Sequence, residues 1–309
     1  MAVTAARPAR RRSLARQEAL WFYAFVSPWL VGFVLWVAGP MLASLYLSFT
    51  SYQITEPPNW VALGNYERLF ADPLFWQSLR VTAYFTFLSV PLSVACAVVV
   101  AMLLNQPIPF LSAWRTIYYL PSITSGVAIA LMWSWIFNPN FGLLNVTLYS
   151  TTGIQGPGWL TDTRWVVPTF VLMSLWTFGG PMLIYLAAIQ GIPTQLYEAA
   201  EIDGASKVRQ MVSITIPLIT PVIFFNLVIN IINSFQSFTN AYIITQGGPN
   251  YASYFYIYYL FQNAFSYFRM GFASAQAWVL FVVIISLTAV AFWSQKHWVY
   301  YEASVDDKK

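Results

Sequence analysis

The sequence predicts an all-α protein that crosses a membrane six times. Of its 309 residues, 58% are hydrophobic and only 8% are charged, whereas a soluble domain has roughly 25% charged residues. Six apolar stretches each approach the ~20 residues that span a bilayer core. They lie at about 20–47, 81–104, 116–137, 165–189, 213–243 and 273–294.

The cations outside these stretches predict the orientation. With the N-terminus in the cytoplasm, eleven Lys and Arg residues fall on cytoplasmic segments and four on external ones, which is the bias of the positive-inside rule. We therefore expect both termini to be cytoplasmic and the protein to lie in the plasma (inner) membrane. The expected division is a basic N-terminal tail (1–19), a transmembrane domain (20–295) and a C-terminal tail (296–309).

The chain offers few residues for catalysis or metal binding. It has one cysteine, Cys96, and one histidine, His297, so an internal disulfide is excluded, and a metal site or a His-based catalytic centre has almost no candidate residues. No lysine follows a glycine, as the phosphate-binding loop of ATPases requires. We expect no enzyme activity, metal or cofactor in this chain. The six stretches also lack Asp, Glu and His, which disfavours the alternative of an ion-coupled carrier.

A charged island separates the fourth and fifth stretches and predicts an aqueous loop at about 190–212. Its charged residues are Glu198, Glu201, Asp203, Lys207 and Arg209. Pro193 and Thr194 suit the start of a helix, and Gly204 suits its end because glycine adopts the left-handed conformation of a sharp stop. Ser206 is placed to cap a second short helix. The island therefore predicts two short helices joined at a glycine.

This island resembles the cytoplasmic loop of permease subunits of binding-protein-dependent ABC importers, especially the maltose and glycerol-phosphate type of the carbohydrate branch. The likeness rests on Glu-Ala-Ala, two residues, Asp-Gly-Ala, and later prolines at 217 and 221. External landmarks such as Gly247-Gly248-Pro249 extend it over nearly the whole chain after residue 20. In that family the loop is a coupling helix that docks an ATPase subunit. The corresponding residues here are Glu198, Ala199, Ala200, Glu201, Asp203, Gly204 and Ala205.

The resemblance also implies a fold, partners and a substrate class. The fold is that of a type I permease, with a five-helix core and an additional N-terminal helix. The implied partners are a second homologous permease in a heterodimer, two ATPase subunits holding ATP and Mg, and an extracellular solute-binding protein, with lipid around the spans and no nucleic acid. The implied substrate is a carbohydrate, and a permease of the same superfamily for another solute is the alternative.

Neutral polar residues form a stripe along the fifth stretch. Asn226, Asn230, Asn233, Ser237 and Asn240 recur at steps of four and three, which keeps them on one side of a helix. Such side chains need protein or water partners in a membrane. Hydrogen bonding between helices and the wall of a pathway for a neutral polar solute both explain them.

By resemblance, the substrate contacts of the family fall on the same stripe and on the fourth stretch. The corresponding residues are Asn230, Asn233, Ser234, Ser237, Trp176, Thr177 and Gly180. In this family the substrate site lies in one of the two permeases, so the partner remains an alternative location. The run Gly179-Gly180-Pro181 predicts a kink in the fourth stretch.

Overall fold

Helices dominate residues 10–301, which are the residues that this computed structural model describes, with side chains from residue 14 onward. Strand-like pairing in this part of the chain is limited to two isolated bridges, Thr50 with Trp60 and Gln53 with Glu56. The all-α prediction is therefore confirmed. The outer parts of the two predicted tails, residues 1–9 and 302–309, lie outside the described residues.

The described part of the chain contains helices of very different length. They are α1 (Arg10–Phe33), α2 (Gly39–Ser48), α3 (Gly64–Ala71), α4 (Pro73–Leu104), α5 (Leu111–Ile123), α6 (Gly126–Ile136), α7 (Leu143–Thr152), α8 (Val166–Leu175), α9 (Gly179–Gln190), α10 (Thr194–Ile202), α11 (Lys207–Gln210), α12 (Ile216–Phe235), α13 (Tyr256–Phe261) and α14 (Met270–Ser294). Wider π-helical turns join α1 to α2 at Val34–Ala38 and α11 to α12 at Met211–Thr215.

Four continuous helical segments are long and apolar enough to cross a membrane. They are Leu14–Ser48, Pro73–Leu104, Lys207–Phe235 and Met270–His297. The second begins eight residues before the predicted start at 81 because Asp72 caps it: its carboxylate accepts from the Leu74 N–H at 2.9 Å, and Pro73 occupies the first turn, where a missing N–H has no cost.

The other two predicted spans are bent pairs of helices. α5 and α6 meet at 99°, and α8 and α9 meet at 46°. The expected span at 116–137 therefore corresponds to a bent pair of helices, and hydropathy did not predict the bend: Thr124 is extended and lies three residues after Pro121, which weakens the preceding turn. The kink predicted in the fourth span is present, since α8 ends at Leu175 and α9 begins at Gly179. An added Cβ on Gly179 would lie 2.2 Å from the Tyr118 carbonyl oxygen, so only glycine permits this close approach to α5.

α4 forms the centre of the helix bundle and packs against α8, α9 and α12. Its N-terminal half joins an aromatic core that includes Phe85, Phe170 and Phe255. Its C-terminal half packs Ala97 and Ala101 in one cluster with Tyr185 of α9, and such small residues let helices approach closely, as in other membrane bundles. α14 covers α2, whereas the side chains of α1 from residue 14 onward are exposed or half-exposed.

Candidate functional site

The charged island folds into a compact knob made of α10, the turn at 203–206 and α11. Gly204 has φ +73° and lies just after the end of α10. Its N–H donates to the Glu201 carbonyl at 3.0 Å, and the Ala205 N–H donates to the Ala200 carbonyl at 2.9 Å. This pair of bonds is a Schellman motif, which satisfies the last carbonyls of a helix and requires a left-handed residue at this position. The motif explains why a glycine follows Asp203.

Both helices of the knob begin where the sequence predicts, but only the second has the predicted side-chain cap. The Ser206 hydroxyl accepts from the Arg209 N–H at 3.3 Å and caps α11. At α10, Pro193 occupies the cap position and no side chain caps the helix, so Thr194 lacks the capping role that we expected. The reason is that Thr194 already has helical geometry as the first residue of α10, and a cap must stand one residue earlier.

The predicted docking residues cover the outer surface of the knob. Glu198, Ala199, Glu201, Asp203 and Gly204 are exposed, and only the alanines at 200 and 205 are half-buried. Two further exposed residues were missed from the sequence because they are apolar and lie next to the motif rather than in it. They are Ile202, with 87% of its surface exposed, and Val208, with 67%.

An ion pair joins the two helices of the knob. The ammonium group of Lys207 on α11 donates to the carboxylate of Glu201 on α10. This hydrogen bond, together with the positive charge of Lys207, lowers the pKa of Glu201. Both side chains are largely exposed, so the pair contributes little to folding stability and mainly fixes the relative position of the two helices.

One polar contact joins the knob to the base of the fifth span, and another joins the turn of the knob to its second helix. The hydroxyls of Tyr197 on α10 and Thr215 are 2.9 Å apart. The buried amide of Gln210 donates to the Ala205 carbonyl at 3.2 Å. The Tyr197–Thr215 contact thus links α10 to the segment that leads into α12.

A polar cavity of about 250 Å³ lies between α4, α8, α9 and α12. Five of the predicted pathway residues line it, namely Thr177, Asn230, Asn233, Ser234 and Ser237. The remaining lining residues are Phe85, Ser89, Val90, Ser93, Ser174 and Pro181. Every lining residue is uncharged, so the cavity presents hydroxyls, amides and a few apolar groups.

The asparagines of α12 divide into one structural residue and two that are available to a ligand. Asn226 is buried and its amide donates to the Val222 carbonyl of the same helix at 3.0 Å, so it lies outside the cavity lining. The amide nitrogen of Asn230 donates to the Asn226 carbonyl at 2.9 Å, which leaves its oxygen as an acceptor. Asn233 is accessible from the cavity.

The stripe does not continue along one helix as predicted. α12 ends at Phe235, so Ser237 and Asn240 lie beyond it. The physical reason is the polar run that follows, since Ser and Asn side chains compete for backbone groups and disfavour helix interiors. Ser237 still lines the cavity, and Asn240 lines an adjoining cavity of about 300 Å³.

Two other predicted pathway residues lie apart from the cavity lining. Trp176 lies at the bend between α8 and α9 and packs edge-on against Trp133, with ring centroids 5.8 Å apart. Gly180 has no atom within 4 Å of an added Cβ, so it faces open space without contributing to the lining. The structure therefore brings together the fifth span and Thr177, but not Trp176, Gly180 or Asn226.

A wall of serines opposite the asparagines was missed from the sequence. Ser89 and Ser93 lie one turn apart on α4, and Ser174 lies on α8. Ser89 is only 4% exposed, and its hydroxyl has no hydrogen-bond partner within the described part of the chain. The spacing of four residues inside an apolar span was the signal that could have identified this pair.

These features define a polytopic membrane protein with a polar cavity between its helices and a separate charged knob outside the spans. Comparison with known proteins gives the family. Residues 89–299 match the family described as binding-protein-dependent transport system inner membrane component. The chain belongs to this family, as the resemblance in its sequence implied. It is a multi-pass inner-membrane protein and a permease component of an ABC transporter.

Several named relatives are similar over most of their length. The chain is 43% identical to the probable ABC transporter permease protein YesP of Bacillus subtilis, covering 93% of this chain and 94% of the relative. It is 31% identical to the lactose transport system permease protein LacF of Rhizobium radiobacter, with 93% and 97% covered. It is 32% identical to the sulfoquinovosyl glycerol transport system permease protein SmoG of Agrobacterium fabrum, with 81% and 82% covered.

A solved structure supports the fold alone. The chain superposes on a subunit of a bacterial ABC transporter involved in the import of the acidic polysaccharide alginate, with a TM-score of 0.82 and 24% identity. The match covers 93% of this chain and 99% of that subunit. The type I permease fold implied by the sequence is thereby confirmed.

Proposed function

We propose that this chain is the permease subunit of an ATP-driven, binding-protein-dependent importer for a sugar or oligosaccharide. The observation that carries the proposal is the uncharged polar lining of the cavity. Sugar hydroxyls both donate and accept hydrogen bonds, and the amides and hydroxyls of the lining offer both functions. The names of LacF and SmoG, which belong to transport systems for lactose and sulfoquinovosyl glycerol, support the same substrate class.

In this proposal the chain forms half of the pathway and a second, homologous permease forms the other half. Two ATPase subunits bind ATP and Mg on the cytoplasmic side, and a solute-binding protein delivers the sugar on the outer side. Both termini of the chain are cytoplasmic. The excess of Lys and Arg on the cytoplasmic segments supports this orientation. The orientation in turn puts the knob on the side of the membrane where ATP is available.

The knob is the docking element for one ATPase subunit. Its exposed carboxylates, Glu198 and Asp203, accept hydrogen bonds from amides or cations of the partner, and Ile202 supplies apolar contact area. ATP-driven closure of the ATPases pushes the knob, and the Tyr197–Thr215 contact passes this displacement to α12. The cavity between α4 and α12 then opens to the outer side and receives the sugar.

Purification of the tagged chain from its native membrane tests the assembly. We expect an ATPase and a second permease to co-elute, and a reconstituted complex to import labelled sugars only when ATP and the binding protein are present. Import of a non-carbohydrate solute in place of sugars would support the alternative within the superfamily. Transport by the isolated chain along an ion gradient would overturn the proposal.

A variant of the knob tests the docking step separately. Asp203→Arg reverses a charge on the exposed surface without touching the spans, so we expect normal membrane insertion and loss of the ATPase from the purified complex. Asp203→Asn keeps the size of the side chain and serves as the matched control. Retention of the ATPase and normal uptake in Asp203→Arg would contradict docking through this surface.

A further inference from the structure

The first turn of α12 contains a break in its hydrogen bonding. Pro221 has no N–H, so it cannot donate to the carbonyl of Pro217, four residues earlier. The hydroxyl of Thr220 replaces the missing donor and bonds to the Pro217 carbonyl at 2.6 Å. Thr220 is 7% exposed, and without its hydroxyl the Pro217 carbonyl would lose this hydrogen bond. The two prolines of the motif thus create a weak turn that Thr220 repairs.

The same hydroxyl binds the C-terminal end of the described chain. After α14 and the turn at Gln295–His297, residues 298–300 fold back onto α12, and we name them the C-terminal strap. The Tyr300 N–H donates to the Thr220 hydroxyl oxygen at 2.9 Å. Part of the tail that the sequence analysis assigned from residue 296 is therefore packed against the transmembrane domain.

Apolar contacts hold the strap along the same helix. The ring of Trp298 packs edge-on against Phe224 of α12, with centroids 6.0 Å apart. Phe224 also contacts Phe292 of α14 at 5.0 Å, so its ring connects the two spans and the strap. Val299 packs against the same apolar cluster. The strap is therefore built from three successive residues that each contact or support α12.

The strap also lies beside the docking knob. Tyr300 shares a groove of about 320 Å³ with Leu196 of α10 and with Ile214, Pro217 and Leu218 at the base of the fifth span. At the same base, Tyr197 of α10 bonds to Thr215. The weak turn at Pro217 is thus enclosed between the knob and the strap.

We propose that Thr220 is a positioning residue for energy coupling. By joining the strap to the weak first turn of α12, it makes the knob and the pathway helix move together. Without this bond, the turn between Pro217 and Pro221 bends and absorbs part of the displacement of the knob. This inference rests on the proposed function, since it assigns a role in the transmission between the ATPase and the cavity.

The test measures sugar imported per ATP hydrolysed by the reconstituted complex with its binding protein. Thr220→Val keeps the size of the side chain and removes the hydroxyl, and Thr220→Ser keeps the hydroxyl. Thr220→Val removes both hydrogen bonds of the hydroxyl, and one net hydrogen bond corresponds to about a fivefold change in an equilibrium, so we expect this variant to lower the ratio by about fivefold or more. Complex assembly and ATP hydrolysis remain, and Thr220→Ser restores the ratio.

A second pair of variants acts on the other partner of the bond. Tyr300→Pro removes the N–H donor, whereas Tyr300→Phe keeps the N–H and the ring. We expect Tyr300→Pro to lower the ratio as Thr220→Val does and Tyr300→Phe to leave it unchanged. The double variant of Thr220→Val and Tyr300→Pro should be little worse than Thr220→Val alone, because the valine has already removed the bond that Tyr300→Pro removes.

Several results would overturn the inference. A normal ratio in Thr220→Val and in Tyr300→Pro would show that the strap does not transmit force. An equal loss in Thr220→Ser, or loss of complex assembly in Thr220→Val, would show a role in folding only. The proposed function fails by a different result, namely a wild-type complex without an ATPase or without sugar import.

Discussion

Replacement of Gly204 tests whether coupling depends on the shape of the knob. Gly204 has φ +73° and nothing within 4 Å of an added Cβ, so Gly204→Ala introduces no clash. Its cost is the left-handed conformation alone, about 1–2 kcal/mol for a residue with a Cβ. Gly204→Asn is the matched control, since asparagine tolerates this conformation. Gly204→Pro fixes φ near −65° and removes the N–H that donates to Glu201.

The conformational cost at position 204 weakens docking, because the ATPase subunit binds only the native left-handed turn and the variant must pay the cost to form it. A penalty of about 1–2 kcal/mol changes an equilibrium by about 5- to 30-fold, so the apparent affinity of the ATPase for Gly204→Ala should fall by up to that factor. We expect Gly204→Asn to stay near wild type and Gly204→Pro to lose coupling completely. The measurements are ATPase retention during purification and sugar uptake in proteoliposomes.

Helix content and membrane insertion provide the control, since the knob lies outside the spans. All three variants should match wild type in circular dichroism and in expression level. Normal uptake in Gly204→Pro would refute the reasoning, because no residue with φ near −65° can form this turn. Equal losses in Gly204→Ala and Gly204→Asn would show that size rather than backbone conformation matters.

Three further predictions concern the cavity and the ion pair. The double variant Asn230→Leu and Ser234→Leu should reduce uptake by about tenfold or more while the binding protein still docks. The reason is that each hydrogen bond lost to the solute costs about 1 kcal/mol or more. Unchanged transport would exclude these two residues from the pathway. Ser89→Ala should raise the sugar concentration for half-maximal transport without changing assembly, and an unaltered value would remove the serine from the site. Lys207→Met should raise the pKa of Glu201 toward its ordinary value, as measured by NMR of the labelled carboxyl group, because the hydrogen bond and charge of Lys207 are the largest causes of its depression. A depressed pKa stabilises the knob at pH values above the pKa of the unfolded chain, and this effect is lost as pH falls through the pKa of the folded chain. A Glu201 pKa that is the same with and without Lys207 would contradict the assigned cause.

The knob was predictable from sequence because its determinants are local. The glycine at 204 must follow the end of a helix, and Ser206 must precede the next one, so neighbouring residues specify the turn. In a mostly apolar chain, charged residues also mark the segments that lie outside the bilayer core, in water. The same reasoning located the kink at Gly179, where the glycine and the following proline act within one turn.

The cavity was only partly predictable because it depends on helices that are distant in sequence. The step of three and four residues identified Asn230 and Asn233, but it gave no sign that α12 ends at Phe235. Asn226 fits the same spacing and yet lies outside the lining, since its amide bonds within its own helix. The facing wall at Ser89 became evident only when α4 was placed opposite α12.

The bent third span was missed for a related reason. The hydropathy of residues 116–137 shows that the segment is apolar, but it does not show whether the helix axis is straight or bent. The 99° angle between α5 and α6 arises where Thr124 leaves the helical conformation. A break of a few residues at Thr124 is enough to divide one apolar stretch of the sequence into two helices.

The uncharged lining of the cavity has a consequence for bioenergetics. The transmembrane voltage acts on a charge with about 2.3 kcal/mol per 100 mV, and it does no work on neutral amides and hydroxyls. When a neutral solute passes Asn230 and Ser89, no net charge moves across the membrane, so the voltage does no work on it. Import through this cavity should proceed at the same rate in polarised and depolarised vesicles, with its direction set by ATP alone.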